Sequence, residues 1–360
     1  MALRSLVINN TRNLRHVELE PSPGLNVIWG DNGSGKTSIL EAIQILSTGK
    51  SFRTHQLDDV LTHGSKMTEI LGRFDGRFGK AKEILWQRQD GLRRQVTIDK
   101  RKALSAGEVA KILPVRAILP DSHYRFRQQS KYRRNILDWG VFHVEHRFQE
   151  SWRDFQRCLD QRNRVLKQRG INFAELKTWD EKIVDFATAV TEARDAYVNE
   201  WQPSIGPLVD ELLSLGGHYV SIRLETGGMD DYGLVLRQNH SQDIKLGYTQ
   251  FGPHRADILV DFCGKPYGSV ASQGQQKMVL LAILLSQMSD IDSEIAPVLL
   301  LDDVPSELDH QHRDNLLKLL SKKGFQVFVT TTDPNILALE TWESPKLFHV
   351  KHGEVTETSC

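Results

Sequence analysis

The 360-residue sequence has few cysteines, no long apolar run and no excess of charge of either sign. Its three cysteines, Cys158, Cys263 and Cys360, lack the spacing of a metal or redox motif, which excludes a disulfide framework and fits a reducing compartment. No segment approaches about 18 uncharged apolar residues, so we expect a cytoplasmic protein without a membrane partner. Basic and acidic residues number 46 each, so any binding to nucleic acid would depend on local patches.

A glycine-rich segment lies between an apolar run at 25–29 and a helix-patterned run at 39–46, which is the context of a phosphate-binding loop. Glycines let several backbone N–H groups point at one anion, and the helix N-terminus adds partial positive charge. Lys36 would reach the β- and γ-phosphates, and the Thr37 hydroxyl would bind Mg²⁺. The sequence therefore predicts a nucleoside triphosphate site, whose contacts are Gly30, Asp31, Asn32, Gly33, Ser34, Gly35, Lys36, Thr37 and Ser38.

A second part of this site is predicted far along the chain, where the apolar run 298–301 ends in two carboxylates. Such a run is typical of a buried parallel strand whose C-terminal end faces a ligand. We expect Asp302 to be the Mg²⁺ partner of Thr37. The adjacent Asp303 is the candidate general base for the attacking water, with Lys36 as the other catalytic residue of this half-site.

The segment Ser272-Gln273-Gly274-Gln275-Gln276-Lys277 precedes an amphipathic helix predicted over 279–288 and resembles the signature motif of ABC-type ATPases. Ser306-Glu307-Leu308-Asp309 resembles the dimer-facing loop of the same class. In that class the Ser272 hydroxyl and the N–H groups near Gly274 would cap the γ-phosphate held by a second copy, so Ser272 is also a catalytic candidate. The alternative reading of Ser272 is a simple helix cap.

The order of patterns predicts an α/β fold, namely an ABC-type, SMC-like P-loop ATPase head with a β-rich subdomain and an inserted helical arm domain. We expect the N-terminal part of the head at 1–120, the mainly helical arm at 121–246 and the C-terminal part of the head at 247–360.

Within the arm, apolar residues at alternating steps of three and four predict a coiled-coil seam on a second long helix, which ends near Pro203. The residues of this seam are Leu176, Trp179, Ile183, Phe186, Val190, Ala193 and Tyr197. A first long helix before it has a similar apolar stripe, formed by Phe148, Trp152, Phe155, Leu159 and Leu166. The two helices form either a projecting hairpin or an ordinary helical subdomain. Glycine turns are predicted at Asp75-Gly76, Phe78-Gly79, Asp90-Gly91 and Gly216-Gly217.

Taken together, these motifs resemble the RecF family over essentially the full length. Further segments contribute to the resemblance: Arg12-Asn13-Leu14, Lys50-Ser51-Phe52-Arg53, Lys131-Tyr132-Arg133-Arg134 and Gly252-Pro253-His254-Arg255. Two positions depart from the family pattern, namely Gln128-Gln129-Ser130 in place of a Gly-Gly-Pro-like turn, and Ala256 in place of an acidic residue.

The resemblance implies a weak, DNA-stimulated ATPase that dimerises on ATP and binds gapped or duplex DNA at single-strand junctions. It implies a mediator that works with RecR and RecO to load RecA in replication-linked repair and SOS induction. Hydrolysis would reopen the dimer and release DNA. Mg²⁺ and ATP are the implied cofactors.

One segment interleaves cations with aromatic residues and is a candidate DNA contact through Arg125, Arg127, Lys131, Arg133 and Arg134. The alternative is a solvated face or an intramolecular ion-pair surface. A basic cluster at 88–102 has the same two readings.

Three other functions remain open at this point. The first is an ABC transporter ATPase subunit, and the second is an SMC-like clamp that bridges DNA with negligible turnover. The third is a kinase that uses the same phosphate loop. The helical insertion is longer than an ABC transporter subunit needs, which argues against the transporter. It is much shorter than the arms that a DNA-bridging clamp requires, which argues against the clamp.

Overall fold

The computed structural model describes residues 2–75, 82–214, 220–229, 231–291 and 295–358. The turns predicted at Gly76, Phe78-Gly79 and Gly216-Gly217, and Cys360, lie outside these residues, and of Ser306 only the backbone is described. The elements up to residue 118 are β1 (Leu3–Thr11), β2 (Leu14–Leu19), β3 (Leu25–Trp29), α1 (Lys36–Thr48), β4 (Met67–Phe74), β5 (Lys82–Gln89), β6 (Gln95–Ile98), β7 (Arg101–Lys102), α2 (Ala106–Ile112) and β8 (Val115–Ile118).

Helices then predominate up to residue 213. They are α3 (Ser122–Gln128), α4 (Ser130–Val144), α5 (Phe148–Leu166) and α6 (Phe173–Leu213). The remaining elements are β9 (Val220–Glu225), α7 (Tyr232–Gln238), α8 (His240–Leu246), β10 (Asp257–Phe262), β11 (Lys265–Pro266), α9 (Tyr267–Val270), α10 (Gln273–Ser289), β12 (Val298–Leu301), α11 (His310–Lys322), β13 (Gln326–Thr331), β14 (Lys346–Lys351) and β15 (Glu354–Thr358).

The chain divides into two compact units, one formed by Met1–Ser122 with Ile291–Cys360 and the other by His123–Asp290. We call them the head unit and the inserted unit. The first contains the phosphate loop and both carboxylates that follow β12, whereas Ser272 belongs to the second. The functional domain bounds predicted at 120 and 246 stay a prediction.

The head unit contains two six-stranded sheets. One has the order β2-β1-β4-β5-β6-β7 and is antiparallel, and the other has the order β15-β14-β3-β13-β12-β8. In the second sheet β14, β3, β13, β12 and β8 are parallel. Every residue of β12 and β13 is buried, as expected of strands covered on both faces.

Helix α1 connects the cores of the two sheets. Its Ile39, Leu40 and Ile43 belong to one apolar cluster with Ile70 and Trp86 of the first sheet, and the second sheet contributes Ile28, Leu300 and Phe328. Burial of this helix fixes the position of its N-terminus, where the phosphate loop ends. The carboxyl ends of β3, β12 and β13 lie at the same edge, because these strands are parallel neighbours.

In the inserted unit, three expectations from the sequence are wrong. Helix α6 does not end near Pro203 but continues through Pro203 and Pro207 to Leu213. Both prolines are exposed, whereas Trp201 and Ile205 are buried beside them. Tertiary packing of the apolar face therefore overrides the helix-breaking tendency of proline.

The predicted seam of α6 is also only half right. Leu176, Ile183, Val190 and Tyr197 are buried, but Trp179, Phe186 and Ala193 are only partly buried. The alternate positions of the seam are occupied instead by Asp180, Ala187 and Arg194. Two charged residues enter the interior because both are paired there, Asp180 with Arg162 and Arg194 with Asp138.

Helix α10 is longer than the predicted 279–288 and is not amphipathic. Its residues 278–288 are all buried, so no polar face remains over this stretch. A helix that is apolar nearly all round is a buried helix, and the few polar side chains are bonded internally, as when Trp201 Nε1 donates to Ser286 Oγ (2.8 Å).

Candidate functional site

The phosphate loop joins β3 to α1, as predicted. At two of its glycines, a residue with a side chain would not fit. Gly30 has φ +147°, and a Cβ there would lie 2.2 Å from the carbonyl oxygen of Val350. Gly35 has φ +124°, and a Cβ there would lie 2.9 Å from Leu14 Cδ2. These positions combine a backbone conformation that L residues rarely adopt with a lack of space.

Lys36 is the first residue of α1 and turns back over the loop. Its Nζ donates to the carbonyl oxygens of Gly30 (2.8 Å) and Asp31 (3.1 Å), and the side chain is buried. The first N–H groups of a helix have no intrahelical partner and point toward the same space. The loop thus presents one ammonium and a helix N-terminus, which together form an anion site.

Asn13 supports the loop from the turn between β1 and β2, a role that sequence reasoning did not assign. Its Nδ2 donates to Ser34 O (2.9 Å), and its Oδ1 accepts from Ser38 Oγ (3.1 Å). Gly353 N donates to the same Ser34 oxygen (2.9 Å). The one sequence signal for this residue was its place in the Arg12-Asn13-Leu14 segment.

The neighbouring Arg12 is paired with a buried carboxylate on α1. Its guanidinium donates to both oxygens of Glu41 (3.0 and 2.8 Å), which also accepts from Ser51 Oγ. The Arg53 guanidinium lies 3.5 Å from Glu41 Oε2. The contact with Glu41 raises the pKa of Arg12 above its ordinary value. Two segments that the family resemblance singled out therefore act together in fastening α1.

The structure brings Thr37 and Asp302 together, as the sequence predicted. Thr37 Oγ1 lies 2.9 and 3.2 Å from the two carboxylate oxygens of Asp302 and donates its proton to that group. Thr330 Oγ1, on β13, donates to Asp302 Oδ1 (2.7 Å). The start of α1, the end of β12 and the end of β13 thus place three oxygen-bearing side chains at one point.

Asp303 lies next to this point with φ +52°, in the left-handed region. Its N–H donates to Thr330 Oγ1 (2.9 Å). Its Oδ1 is buried and finds no hydrogen-bond partner among the described residues. Burial raises the pKa of Asp303, and the negative charge of Asp302 adds to this, whereas Lys36 opposes it.

These residues fit a magnesium nucleotide. Mg²⁺ prefers hard oxygen ligands and in proteins is commonly bound through one or two carboxylates together with substrate phosphates. Asp302 and Thr37 supply such oxygens beside the anion site of Lys36. The unpartnered oxygen of Asp303 leaves one acceptor at the same edge for a water or a hydroxyl group.

Ser272 is the N-cap of α10 in a reciprocal capping box. Its Oγ accepts from Gln275 N (3.3 Å), and Gln275 Oε1 accepts from Ser272 N (2.8 Å). Ser272, Gln273 and Gly274 are exposed, and no atom of the described residues lies within 4 Å of a Cβ built on Gly274. The capping role is thus observed. The Ser272 O–H proton is not used by the cap, so a role toward a phosphate of a second copy stays a prediction.

The dimer-facing loop predicted at 306–309 leads into α11. Asp309 is the N-cap of this helix, and its side chain accepts from His312 N (3.0 Å). These hydrogen bonds with His312 lower the pKa of Asp309. Leu308 is buried. The loop is therefore built as a helix start, and its contact with a second copy stays a prediction.

The candidate DNA contacts on α3 and α4 differ in how they are used. Arg133 donates to both oxygens of Asp257 (2.8 and 2.6 Å) and to Phe126 O (2.6 Å). Arg134 donates to Ala256 O (2.7 Å), and burial lowers its pKa. These two arginines are bonded within the chain, which was the alternative interpretation of this segment. Contact with DNA stays a prediction for them as well.

Two of the five candidates lie on the surface of the inserted unit. Arg127 and Lys131 are exposed, and the Arg127 guanidinium lies 5.8 Å from the centre of the Tyr124 ring, which is also exposed. Arg125 is partly buried. The exposed pair keeps the interleaving of cations with an aromatic ring that the sequence suggested.

Three of the six basic residues in the 88–102 cluster have a partner within the head unit. Arg88 donates to Asp58 (2.9 Å from Nε), Arg101 pairs with Glu108, and Arg94 donates to the carbonyl of Gly49. The other members, Arg93, Lys100 and Lys102, are exposed.

Comparisons with known proteins agree with this architecture. Residues 2–356 match a family model described as RecF/RecN/SMC N terminal domain. The DNA replication and repair protein RecF of Pseudomonas syringae pv. syringae (strain B728a) is 35% identical over 364 residues, and the match covers 99% of each chain. The protein of the same name from Pseudomonas aeruginosa (strain UCBPP-PA14) is 36% identical, with 100% of this chain and 98% of the relative covered.

Solved structures show the same fold. Two structures of the recombination mediator protein RecF in the RecFOR pathway, RecF-ATPrS and RecF-ATP, superpose with TM-scores of 0.86 and 0.87 at 25% identity. Each match covers 99% of this chain and 98% of the other. An Smc head domain with an extended coiled coil from Pyrococcus furiosus has a TM-score of 0.62 at 18% identity, covering 99% of this chain and 96% of that chain, and shows the fold alone.

Among the described residues, no helix combines the length and the apolar content required to cross a bilayer. The phosphate loop, the two carboxylates after β12 and the inserted helices fit an ABC-type, SMC-like ATPase head. The sequence matches extend over essentially the whole of both chains. This protein belongs to the RecF family.

Proposed function

We propose that this protein is an ATP-dependent DNA-binding recombination mediator. The observation that supports this most strongly is the convergence of Lys36, Thr37, Asp302 and Asp303 at the carboxyl edge of one parallel sheet. This is the equipment of a triphosphate site, and it occurs in a chain whose full-length relatives are named DNA replication and repair protein RecF.

The nucleotide is ATP. The 30–38 loop provides the anion site, and a RecF relative of the same fold has been solved as RecF-ATP. Lys36 would exchange its two carbonyl partners for the β- and γ-phosphates, which are stronger acceptors because they are charged. Gly33 has open space beside it, since no atom of the described residues lies within 4 Å of a Cβ built there.

Hydrolysis follows from the residues beside the loop. Bound Mg²⁺ would neutralise phosphate charge, and Thr37 and Asp302 would hold it. Asp303 would orient a water and accept its proton while the water oxygen bonds to the γ-phosphorus. The bond between that phosphorus and the bridging oxygen breaks, and ADP leaves with the bridging oxygen. Phosphoryl transfer depends mainly on such positioning and charge stabilisation, so a weak ATPase that is accelerated by correct assembly is expected.

Assembly would come from a second copy of the chain. Ser272 and Gly274 lie at an exposed helix N-terminus, which can receive the γ-phosphate held by a partner. ATP then binds the closed dimer better than the monomer, so it shifts the equilibrium toward the dimer by mass action. Hydrolysis removes this bias and releases the dimer from DNA.

The DNA substrate would be gapped or duplex DNA at a single-strand junction, contacted in part by Arg127 and Lys131. The structures of RecF described as part of the RecFOR pathway support RecR and RecO as partners. RecA loading in repair and SOS induction is the outcome that we propose. Family membership favours this function over a transporter subunit or a DNA-bridging clamp.

The test is sedimentation of the wild type, Lys36→Met, Ser272→Arg and Asp303→Asn, each with and without ATP-Mg²⁺ and a gapped duplex. Ser269→Arg is the matched control, because it adds the same bulk and charge at another exposed serine near the start of α10. We expect the wild type and Ser269→Arg to dimerise only with ATP. Asp303→Asn should form a long-lived dimer on DNA, whereas Lys36→Met and Ser272→Arg should stay monomeric.

Two results would overturn parts of the proposal. Normal dimerisation of Ser272→Arg would remove the signature role of Ser272 and leave only the helix cap. A wild-type protein that dimerises with ATP but ignores DNA at low salt would retain the ATPase assignment and lose the mediator function.

A further inference from the structure

Thr330 joins the two acidic residues of the candidate hydrolysis site through a single hydroxyl group. The residue lies near the end of β13, where it is fully buried. Its Oγ1 is 2.7 Å from Asp302 Oδ1 and 2.9 Å from Asp303 N. Nothing in the local sequence marks it, because the segment 326–331 has the pattern of an ordinary buried strand.

The directions of these hydrogen bonds follow from chemistry. An N–H group can only donate, so Thr330 Oγ1 accepts from Asp303 N. An ionised carboxylate can only accept, so the single Thr330 proton goes to Asp302. Asp302 also accepts from Thr37 (2.9 Å), and the result is a continuous chain from the phosphate loop through Asp302 and Thr330 to Asp303.

The hydrogen bond between Asp303 N and Thr330 Oγ1 holds a residue whose backbone is strained. Asp303 has φ +52°, a left-handed conformation that costs about 1 kcal/mol or more in a residue other than glycine. Its Oδ1 has no partner among the described residues, so hydrogen bonds to that oxygen do not fix the direction of the carboxylate. The Thr330 hydroxyl is the group that ties its backbone to the neighbouring strand.

We propose that Thr330 is a positioning residue of the hydrolysis site, which holds Asp302 toward Thr37 and fixes the backbone from which Asp303 projects. This rests on the proposed ATPase function. Thr330 is not a catalytic residue, because it is fully buried and acts through the two aspartates. The ligand it serves is the magnesium nucleotide, through the orientation of the Asp302 oxygens.

The same strand provides a matched control. Thr331 is the next residue and is also fully buried, and its Oγ1 lies 3.0 Å from Asp333 O and 3.1 Å from Asp333 N. Among the hydrogen bonds between described residues, none joins it to Asp302 or Asp303. A threonine-to-valine change has the same shape and removes the same hydroxyl at either position. Effects specific to Thr330 therefore report on the acidic pair and not on strand packing.

The experiment compares Thr330→Val, Thr330→Ser and Thr331→Val in the full chain. Three quantities are measured: urea unfolding without nucleotide, the affinity for a fluorescent ATP analogue in EDTA and across a Mg²⁺ titration, and kcat and KM of ATP hydrolysis. Loss of a group that orients a metal ligand typically reduces metal affinity or activity by about 10- to 100-fold.

For Thr330→Val we expect unchanged affinity in EDTA, loss of about tenfold or more in the Mg²⁺-dependent gain in affinity, and a similar fall in kcat. Thr330→Ser should restore both to within about threefold, because it keeps the hydroxyl, and Thr331→Val should match the wild type in both. If Thr330→Val does not fold, Thr330→Cys against Thr330→Ser tests the same hydroxyl at nearly constant size.

The proposal is wrong if Thr330→Val and Thr331→Val give equal Mg²⁺ titrations and equal kcat, or if Thr330→Ser is as impaired as Thr330→Val. A wild-type protein that fails to bind the ATP analogue overturns the proposed function itself. That outcome is distinguishable, because neither the wild type nor any of the three variants would then bind the ATP analogue.

Discussion

At Gly30 the space for a side chain is closed by backbone rather than by another side chain. The carbonyl of Val350 lies on β14, which pairs with β3, so moving it would disturb the central sheet. Backbone obstacles of this kind cannot be relieved by a rotamer change. The phosphate loop is therefore defined by the sheet beneath it as much as by its own sequence.

We expect Gly30→Ala to abolish ATP binding and to lower the free energy of unfolding by about 2 kcal/mol or more, because the Cβ would lie 2.2 Å from Val350 O at φ +147°. Nucleotide titration and urea unfolding measure the two effects. Gly170→Ala is the control, since within the described part of the chain no atom lies within 4 Å of a Cβ built on Gly170. Wild-type nucleotide affinity in Gly30→Ala would contradict the steric argument.

His254 is a second residue whose surroundings dictate its chemistry. Its Nε2 carries the proton, because it donates to Thr249 O (3.0 Å), while Nδ1 is buried and has no partner among the described residues. Burial lowers the pKa of His254 from 6.5 to about 4. The neutral imidazole is thus the form that fits the folded inserted unit.

The pH dependence follows from linkage. Between pH 6.5 and about 4 the unfolded chain binds a proton at His254 that the folded chain does not, so stability is present above 6.5 and is lost as the pH falls through this window. From pH 7.5 to 5.5 we expect a loss of about 1 kcal/mol that is absent in His254→Asn. Urea unfolding of both proteins at the two pH values measures the difference, and equal losses in both would refute it.

At the scale of elements, α5, α6 and α8 are joined by a buried polar cluster rather than by apolar residues alone. The fully buried Arg162 of α5 donates to Asp180 Oδ1 (2.7 Å), Asp243 Oδ2 (2.8 Å) and Thr249 Oγ1 (2.7 Å). His240 also contacts Asp180, at 2.5 Å. One guanidinium thus sets the register of these helices and of the loop that follows α8.

We expect Arg162→Met to destabilise the inserted unit by about 3–5 kcal/mol, because Asp180 and Asp243 would stay buried without their cation. Arg164→Met is the control, since Arg164 lies exposed on the same helix. Replacing both aspartates by asparagine in the Arg162→Met background should recover part of the loss. Unfolding followed by circular dichroism measures the loss of stability in each variant. If Arg162→Met lost no more stability than Arg164→Met, the pairing argument would be contradicted.

At the scale of the whole molecule, equal numbers of basic and acidic residues exclude a general attraction to DNA. Affinity must come from local positions, and pairing within the chain reduces their number. Arg127 and Lys131 are exposed, while Arg133 is engaged by Asp257. The exposure of Arg127 and Lys131, with the Tyr124 ring beside Arg127, makes these two residues the sites to test first.

We expect Arg127→Gln with Lys131→Gln to weaken binding to a gapped duplex and to reduce the slope of log affinity against log salt by about 2, because each phosphate contact contributes about 0.9. Arg133→Gln should instead lower the stability of the inserted unit with little change in the slope. Fluorescence anisotropy between low and moderate salt measures the slope. An unchanged slope in the double variant would place the DNA contacts elsewhere.

Local patterns in the sequence determined much of the head. The glycines, Lys36 and Thr37 predicted the phosphate loop because that function requires adjacent residues, and the apolar run before Asp302 predicted a buried strand for the same local reason. These patterns and the RecF resemblance were sufficient for the fold class and the family. The pairing of Thr37 with Asp302 also followed, since parallel strands bring their carboxyl ends to one edge.

Only the tertiary structure decided how distant residues are used. Asn13 and Thr330 act through partners that are distant in the sequence, and such contacts leave no periodic signal. The course of α6 past Pro203, the burial of Asp180 and Arg194, and the engagement of Arg133 all depend on groups that long-range packing supplies. A sequence shows where a charged residue occurs, whereas its role depends on whether the fold places a partner within hydrogen-bond distance.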